Sequence, residues 1–246
     1  MRMYRKLSAI AIFLCVLSLC GCEDMILDRY GDIETVEEPL PVITKLEALN
    51  GFNIYLKPDT LYKIIVEAPR AKLGNIVFEV NDSVLTLADR NGFKWNPAYV
   101  IPSVTLCFPL LENISIAAPA NIKSIGTIQQ ESLYIETARH TGLVELDVDV
   151  DRLSIITGNS VDSGIFIVSG RAAKASFWMR NSASLNALSL DAGFVRMINN
   201  TKGDSYVQVN QILRVVLNSY GNVYYTGNPT TIDIQERSST GNLFPL

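Results

Sequence analysis

The sequence predicts an all-β fold: a parallel β-solenoid with about 20 residues per coil, preceded by a small β-rich cap. The main observation is a 20-residue repeat over residues 111–230, in which apolar residues recur at the third and fifth positions, as in Leu133 and Ile135. Small polar residues follow, and then a second run that alternates apolar and polar residues. One such unit is too small to bury a core of its own, so stacking of units is expected. The six ungapped units begin at Leu111, Glu131, Asp151, Arg171, Asp191 and Gln211.

A β-sandwich is the alternative fold, because short strands with period-two alternation suit either architecture. A sandwich needs hairpins and crossovers of unequal length. Each coil of a solenoid instead returns the chain one strand spacing, about 4.8 Å, further along. The constant length of the repeat therefore favours the solenoid.

Residues 1–21 are predicted to be a lipoprotein signal peptide, with a basic start and an apolar run (7–19) too short to span a bilayer as a helix. The segment ends in Leu19-Cys20-Gly21-Cys22, which resembles the lipobox of bacterial lipoproteins. The resemblance implies lipidation of Cys22 and an outer-membrane anchor, with the protein facing the periplasm or the cell surface. An ordinary secretory signal, cleaved nearby, is the alternative. The basic residues are Arg2, Arg5 and Lys6.

Residues 22–44 are predicted to be the lipidated cysteine and an acidic tether, since seven acidic residues and one basic residue lie between Glu23 and Glu38. Without the three basic residues of the signal peptide, the chain's 21 basic residues become 18 against 25 acidic ones, a net charge near −7. This charge argues against a nucleic-acid partner and against docking on anionic lipid. Contact with the membrane is expected through the anchor at Cys22.

Residues 45–108 are predicted to be a β-rich cap contiguous with the solenoid of residues 109–246. A helical turn is expected at Ala71–Gly74, and Asn81-Asp82-Ser83 is a favourable hairpin turn. The cap would cover the first coil, whose strand edges are otherwise unpaired.

Gly221 and Asn222 separate two strands of the closing units, and Gly241-Asn242 repeats the pair 20 residues later. We expect Gly221 to have a positive φ, which residues with a Cβ resist. Asn222 should then supply its side-chain amide to the adjacent coil, in a short ladder with Asn242.

The sequence predicts no cofactor and no catalytic centre. His140 is the single histidine and falls in a turn, which indicates a solvated residue more than a metal ligand or a base. Cys107 is the one cysteine beyond the signal and anchor, and its apolar strand indicates a buried, inert thiol. No glycine-rich phosphate loop precedes a helix.

Asp147, Asp149 and Asp151 alternate with valines, which places three carboxylates on one outer strand face about 7 Å apart. Clustered oxygens make them candidate calcium ligands. Paired acids also carry out glycoside hydrolysis. A solvated strand face is the simpler interpretation, because the residues that a uniform repeat aligns beside them are not acidic. These residues are Thr127, Gln129, Ile167 and Ser169.

Aromatic residues are the other binding candidates, because flat rings beside polar groups suit sugars or a protein partner. Core packing is the alternative for each. The candidates are Trp95 and Tyr99 in the cap loop and Trp178, Tyr220 and Tyr224 in the later units.

Three segments resemble the putative auto-transporter adhesin, head GIN domain family of Bacteroidota lipoproteins: Gly51-Phe52-Asn53-Ile54, the strand and turn of 103–114, and the closing 221–229. The likeness extends over about residues 45–235 and implies a β-rich fold with strands and turns at these places. The sequence departs at Asn218-Ser219-Tyr220-Gly221, where the family more often has glycine, serine and glycine.

These observations lead to the hypothesis of a non-enzymatic cell-envelope lipoprotein that serves as an adhesion or glycan- or protein-binding module. One alternative is a polysaccharide-active β-helix enzyme that would use Asp147, Asp149 and Asp151. The other is a purely architectural envelope protein.

Overall fold

The computed structural model describes residues 31–92, 100–139, 142–158 and 163–246. These residues form eighteen strands and one helical turn, α1 (Arg70–Leu73). In the described part of the chain, no helix is long and apolar enough to cross a membrane. The strands are β1 (Ile33–Pro39), β2 (Lys45–Ala48), β3 (Asn53–Pro58), β4 (Lys63–Pro69), β5 (Ile76–Asn81), β6 (Val84–Asp89), β7 (Ser103–Phe108), β8 (Asn113–Ile116), β9 (Asn121–Ser124), β10 (Ile128–Thr137), β11 (Leu143–Ile156), β12 (Ile165–Asn181), β13 (Ser184–Thr201), β14 (Ser205–Gln208), β15 (Ile212–Leu217), β16 (Val223–Thr226), β17 (Thr231–Arg237) and β18 (Leu243–Pro245).

The coils stack in parallel and form two long sheets, which confirms the predicted β-solenoid of about 20 residues per coil. The first sheet has the strand order β5-β6-β2-β8-β10-β11-β12-β13-β15-β17. The second has the order β1-β4-β7-β3-β9-β11-β12-β13-β14-β16-β18. The long strands β11, β12 and β13 run from the second sheet across a narrow third side into the first.

The core consists of columns of aliphatic and aromatic side chains that point inward from successive coils. In the first sheet one column continues through nine strands, and every member except the last is almost completely buried. Alternate positions along each strand face solvent, so each coil adds apolar area to the same core. The column comprises Leu85, Leu46, Ile114, Ile135, Ile155, Phe177, Met197, Val215 and Ile234.

The register between coils differs from the uniform 20-residue repeat. Leu153 pairs with Ala175, 22 residues later, and Val195 pairs with Leu213, 18 residues later. The ungapped alignment, which set Ala173 and Gly193 beside Leu153, was therefore wrong by two residues in these two units. A two-residue shift leaves every side chain on the same face of its strand, so the amphipathic pattern conceals it.

The predicted cap is β-rich and contiguous with the solenoid, but it also contributes coils of its own. Strands β2 and β3 pair in parallel with β6 and β7 on one side and with β8 and β9 on the other. The N-terminal end is closed by antiparallel strands: β5 on the first sheet, and β4 followed by β1 on the second. The turn at Asp82 and Ser83, both with positive φ, and the helical turn after Pro69 agree with the expectations for this region.

The prediction that residues 22–44 form an acidic tether was wrong in its second half, because residues 33–39 form strand β1. This strand pairs antiparallel with β4, from Ile33 opposite Pro69 to Pro39 opposite Lys63. Its acidic side chains remain at the surface, where Glu37 lies 2.9 Å from the ammonium group of Lys63. Charged composition predicts exposure of the side chains, but the backbone can still pair with the free edge of a sheet.

Gly221 does not have the expected positive φ. The described glycines that do have a positive φ are Gly31, Gly126, Gly170 and Gly227. The reason for glycine at 221 is the close approach of neighbouring coils. A Cβ there would collide with the carbonyl oxygen of Gly203 and lie 2.8 Å from that of Thr201. Asn222 does reach the next coil, but its side-chain oxygen accepts a hydrogen bond from the backbone N–H of Asn242 at 3.0 Å.

The close approach makes Gly221→Ala destabilising. We expect the free energy of unfolding to fall by about 1–3 kcal/mol, the usual effect of overpacking, because backbone atoms would have to move. Urea denaturation of the purified protein measures the change. Gly74→Ala is the matched control, since Gly74 has no atom near its Cβ position and an ordinary φ of −63°. Equal midpoints for the two variants would contradict the steric explanation.

Candidate binding surface

The outer side of the first sheet carries basic, aromatic and small polar residues in regular columns. We call its part on β11, β12, β13 and β15 the basic face. On β11, β12 and β13 the charged residues of the basic face are four basic residues and no acidic residue, whereas the chain as a whole has a net charge of −4. The outward residues are Arg152, Ser154, Ile156, Lys174, Ser176, Trp178, Arg180, Phe194, Arg196, Ile198, Asn200, Ile212, Arg214 and Val216.

The basic face presents a cation on each of four consecutive coils, in two adjacent columns. Arg152 on β11 is directly beside Lys174 on β12, and the next member of this column is Phe194. Arg196 on β13 is directly beside Arg214 on β15 in the neighbouring column, two residues further along the strands. The row of cations therefore steps sideways by two residues between the second and third of these coils.

Two of the four cations already have acidic neighbours. The guanidinium of Arg152 lies 2.6 Å from Glu131, and that of Arg214 lies 3.6 Å from Asp233. Lys174 and Arg196 form no ion pair with any described residue, so their charges are open to a ligand.

A shallow depression of about 380 Å³ lies on the basic face over β11, β12 and β13 and extends to the neighbouring strand β10. Its floor is low because Ser154 and Ser176, neighbours on adjacent coils, carry the smallest outward side chains that β11 and β12 contribute to this face. Larger side chains surround this floor and give it hydroxyl, cationic and aromatic groups within a small area. They belong to Tyr134, Arg152, Lys174, Phe194 and Arg196.

Tyr134 keeps its phenolic proton at the edge of this depression. Burial raises the pKa of Tyr134, and the nearby carboxylate of Glu136 raises it further. The two side-chain oxygens are 3.3 Å apart, with the phenol as the donor. A residue of the same strand therefore fixes the ring, which forms an uncharged side of the depression.

Trp178, one of the predicted binding residues, lies on the same face but does not offer a free ring. The guanidinium carbon of Arg180 sits 3.7 Å from the ring centroid, which places a cation over the indole. Arg180 is held there by a 3.0 Å hydrogen bond to the carbonyl of Thr157. The indole Nε1 is buried without a hydrogen-bond partner in the described structure. A ligand would meet Arg180 before it met Trp178.

Tyr224, another predicted binding residue, belongs to an aromatic ladder on the outer side of the second sheet. Its ring stacks on Tyr206 at 4.9 Å and on Phe244 at 5.5 Å between centroids. Because these neighbours lie on the preceding and following coils, both faces of the Tyr224 ring are covered. Tyr220 differs, since it lies in a turn and is 66% exposed.

The three aspartates that are candidate calcium ligands or catalytic acids are not brought together as a metal site, in line with the simpler interpretation of a solvated strand face. Asp147 accepts a 2.7 Å hydrogen bond from Thr127, and Asp149 pairs with Arg171 at 2.9 Å. Arg171 stands beside Asp149 because of the 22-residue spacing between β11 and β12; the uniform repeat had placed Ser169 there. No group of three potential ligands among His, Cys, Asp and Glu occurs in the described ranges.

Several predicted residues lie outside the described residues: Cys22, Trp95, Tyr99 and His140. Cys107 is described and buried, and burial raises the pKa of its thiol. The sequence reasoning missed the row of four cations on the basic face: Arg152, Lys174, Arg196 and Arg214. Their period-two positions were visible, but only the register of the coils shows that they share one face.

Comparison with known proteins gives the family. A family model described as putative auto-transporter adhesin, head GIN domain matches residues 43–229. The chain belongs to this family. The match confirms the resemblance found in the turns and strands of the sequence. No curated protein matches the chain significantly.

Solved structures share the fold of this family member at low sequence identity. A putative adhesin from Bacteroides fragilis is 20% identical, with a TM-score of 0.79 over 87% of this chain and 97% of that one. A putative adhesin from Parabacteroides distasonis is 15% identical, with a TM-score of 0.64 over 88% and 98%. A structure named a putative lipid binding protein, from the same species, is 16% identical, with a TM-score of 0.63 over 88% and 97%.

The ladder makes Tyr224→Ala destabilising, whereas Tyr220→Ala should have little effect. We expect the first change to lower the free energy of unfolding by roughly 1–2 kcal/mol, because two ring contacts are lost. The second removes an exposed ring and should change it by less than about 0.5 kcal/mol. Urea denaturation followed by circular dichroism compares them. Similar losses for both variants would contradict the structural role of the ladder.

Proposed function

We propose that the protein is a lipid-anchored, non-enzymatic adhesion module of the cell envelope, and that it binds its ligand through the basic face. The observation that carries this proposal is the row of cations on four consecutive coils, two of them without an acidic partner among the described residues. A rigid sheet holds the strands that carry these charges at a regular spacing of about 4.8 Å. Such a surface suits recognition of an extended anionic ligand.

Membership of a family of putative adhesins supports a binding role at the cell envelope or surface. The alternative of a polysaccharide-active enzyme draws no support from Asp147 and Asp149, because each is engaged with a neighbouring side chain. An architectural role would not require a cation on each of four coils. The accumulation of like charge on one face disfavours folding slightly, so a ligand is the better explanation.

The proposed anchor at Cys22 suits the position at which the chain joins the fold. Strand β1 lies at the N-terminal edge of the second sheet, at the opposite end of the solenoid from β17 and β18. The ten residues between Cys22 and Ile33 could span at most about 35 Å when fully extended. An anchor at this end would leave the outer face of the first sheet free along the solenoid axis.

Cys22→Ala tests the anchor. The variant should lose labelling by palmitate and should no longer sediment with membranes, because the thiol that carries the lipid is absent. Membrane fractionation with detection of the whole protein measures the change. Cys107→Ala is the control, since that thiol is buried and should not affect fractionation. Unchanged sedimentation of the Cys22 variant would refute the lipid anchor.

Charge reversal on the basic face tests the binding role. Lys174→Glu combined with Arg196→Glu should reduce adhesion of protein-coated beads to envelope preparations by about tenfold or more, because attraction becomes repulsion. Lys57→Glu together with Lys202→Glu changes the total charge equally but lies outside the basic face. Equal adhesion of both double variants would overturn the assignment of binding to this face.

A further inference from the structure

We infer that the ligand of the basic face is an acidic polysaccharide with a carboxylate on its sugar rings, bound along the solenoid axis. This inference rests on the proposed function and adds the chemical class of the ligand. It is based on a depression whose floor is formed by two serines and which lies beside cations on successive coils.

The spacing of the coils is the first argument. Arg152 and Lys174 lie on strands about 4.8 Å apart along the axis, as do Arg196 and Arg214, and successive rings of an extended pyranose chain advance by a similar distance. A carboxylate of such a chain can therefore approach a cation of the row. An acidic peptide could follow the same row, so the preference for a sugar chain comes from the depression.

The second argument is the depression, which can hold one sugar ring. It lies where the row of cations shifts from one column to the next. Ser154 and Ser176 can donate and accept hydrogen bonds, which sugar hydroxyls require. The rings of Tyr134 and Phe194 border the depression and can pack against C–H groups of the sugar. A flat cationic sheet without this recess would attract any polyanion but would not hold a ring in one place.

The distribution of charge is the third argument. Lys174 and Arg196 border the depression from adjacent coils and have no described acidic partner, so they are available to a carboxylate. Arg152 and Arg214 extend the row by one coil on either side. Their ion pairs with acidic neighbours are exposed, so a ligand can compete for them in solution. Acidic residues follow beyond this row, on β10 and β17, which limits the site to about four coils. They are Glu131, Glu136 and Asp233.

Isothermal titration of the full chain with polygalacturonate and with alginate tests the inference. Methyl-esterified polygalacturonate is the matched neutral polymer. We expect binding to at least one of the acidic polymers, and binding to the ester weaker by about tenfold or more, because its charge-assisted hydrogen bonds are lost. Lys174→Gln with Arg196→Gln should weaken binding to the acidic polymer by a similar factor. Lys57→Gln should leave it unchanged.

Ser176→Phe distinguishes binding of a sugar ring in the depression from simple charge attraction. The phenyl ring fills the depression, while every cation of the basic face is kept. An aromatic residue is compatible with an exposed strand position, and circular dichroism checks the fold. We expect this variant to weaken binding to the acidic polymer by about tenfold or more, as the glutamine variant does. Dextran sulfate serves as the probe of charge alone, and its binding should not depend on Ser176.

Three results would overturn the inference. These are equal binding of the ester and the acid, unchanged affinity of Ser176→Phe, or no binding to either acidic polymer. If the charge-reversal variant still reduces adhesion in any of these cases, the proposed binding face stands and only the ligand class is wrong. If charge reversal has no effect on adhesion either, the proposed function itself fails.

Discussion

Parallel pairing between successive coils is the constraint on which the rest of this structure depends. Each coil must present its backbone groups at one strand spacing from its neighbours, so inward side chains form continuous columns and corners leave little room. The column through Ile155, Phe177 and Met197 shows the first consequence, since each member packs on the one before. Gly221 shows the second, because backbone carbonyl oxygens of the preceding coil occupy the space that a Cβ would need. Glycine is required there by neighbouring backbone, not by an unusual φ.

The same pairing arranges the outer surface. Outward side chains also fall into columns, and each column has its own chemistry. Tyr206, Tyr224 and Phe244 form a stacked ladder, while Asp149 and Arg171 form an ion pair on the third side. These columns are satisfied within the protein. The basic face is different, because its central cations form no ion pair in the described structure and border a recess. Unpaired charge on a rigid, regular surface is better explained by a ligand than by stability.

Net charge alone gives an incomplete account of such a protein. A chain with more acidic than basic residues argues against anionic partners only if the charges are evenly distributed. In a solenoid the charges need not be evenly distributed. One strand position repeats on every coil, so a few charged residues can give one face a net charge of either sign. With most acidic residues elsewhere, the basic face can attract an anion at short range even though the whole chain is acidic.

The sequence by itself determined the fold class, the approximate coil length, the hairpin turn at Asp82 and the burial of Cys107. Alternation of apolar and polar residues decides which face of a strand is buried, and turn residues act locally. The register was decided only by the tertiary structure. A shift of two residues preserves every inside and outside position, so the spacings of 22 residues from Leu153 to Ala175 and 18 from Val195 to Leu213 leave no trace in the alternation. For the same reason the pairing of Asp149 with Arg171, the covering of Tyr224 and the assembly of the basic face could not be predicted, because each depends on which residues of different coils become neighbours.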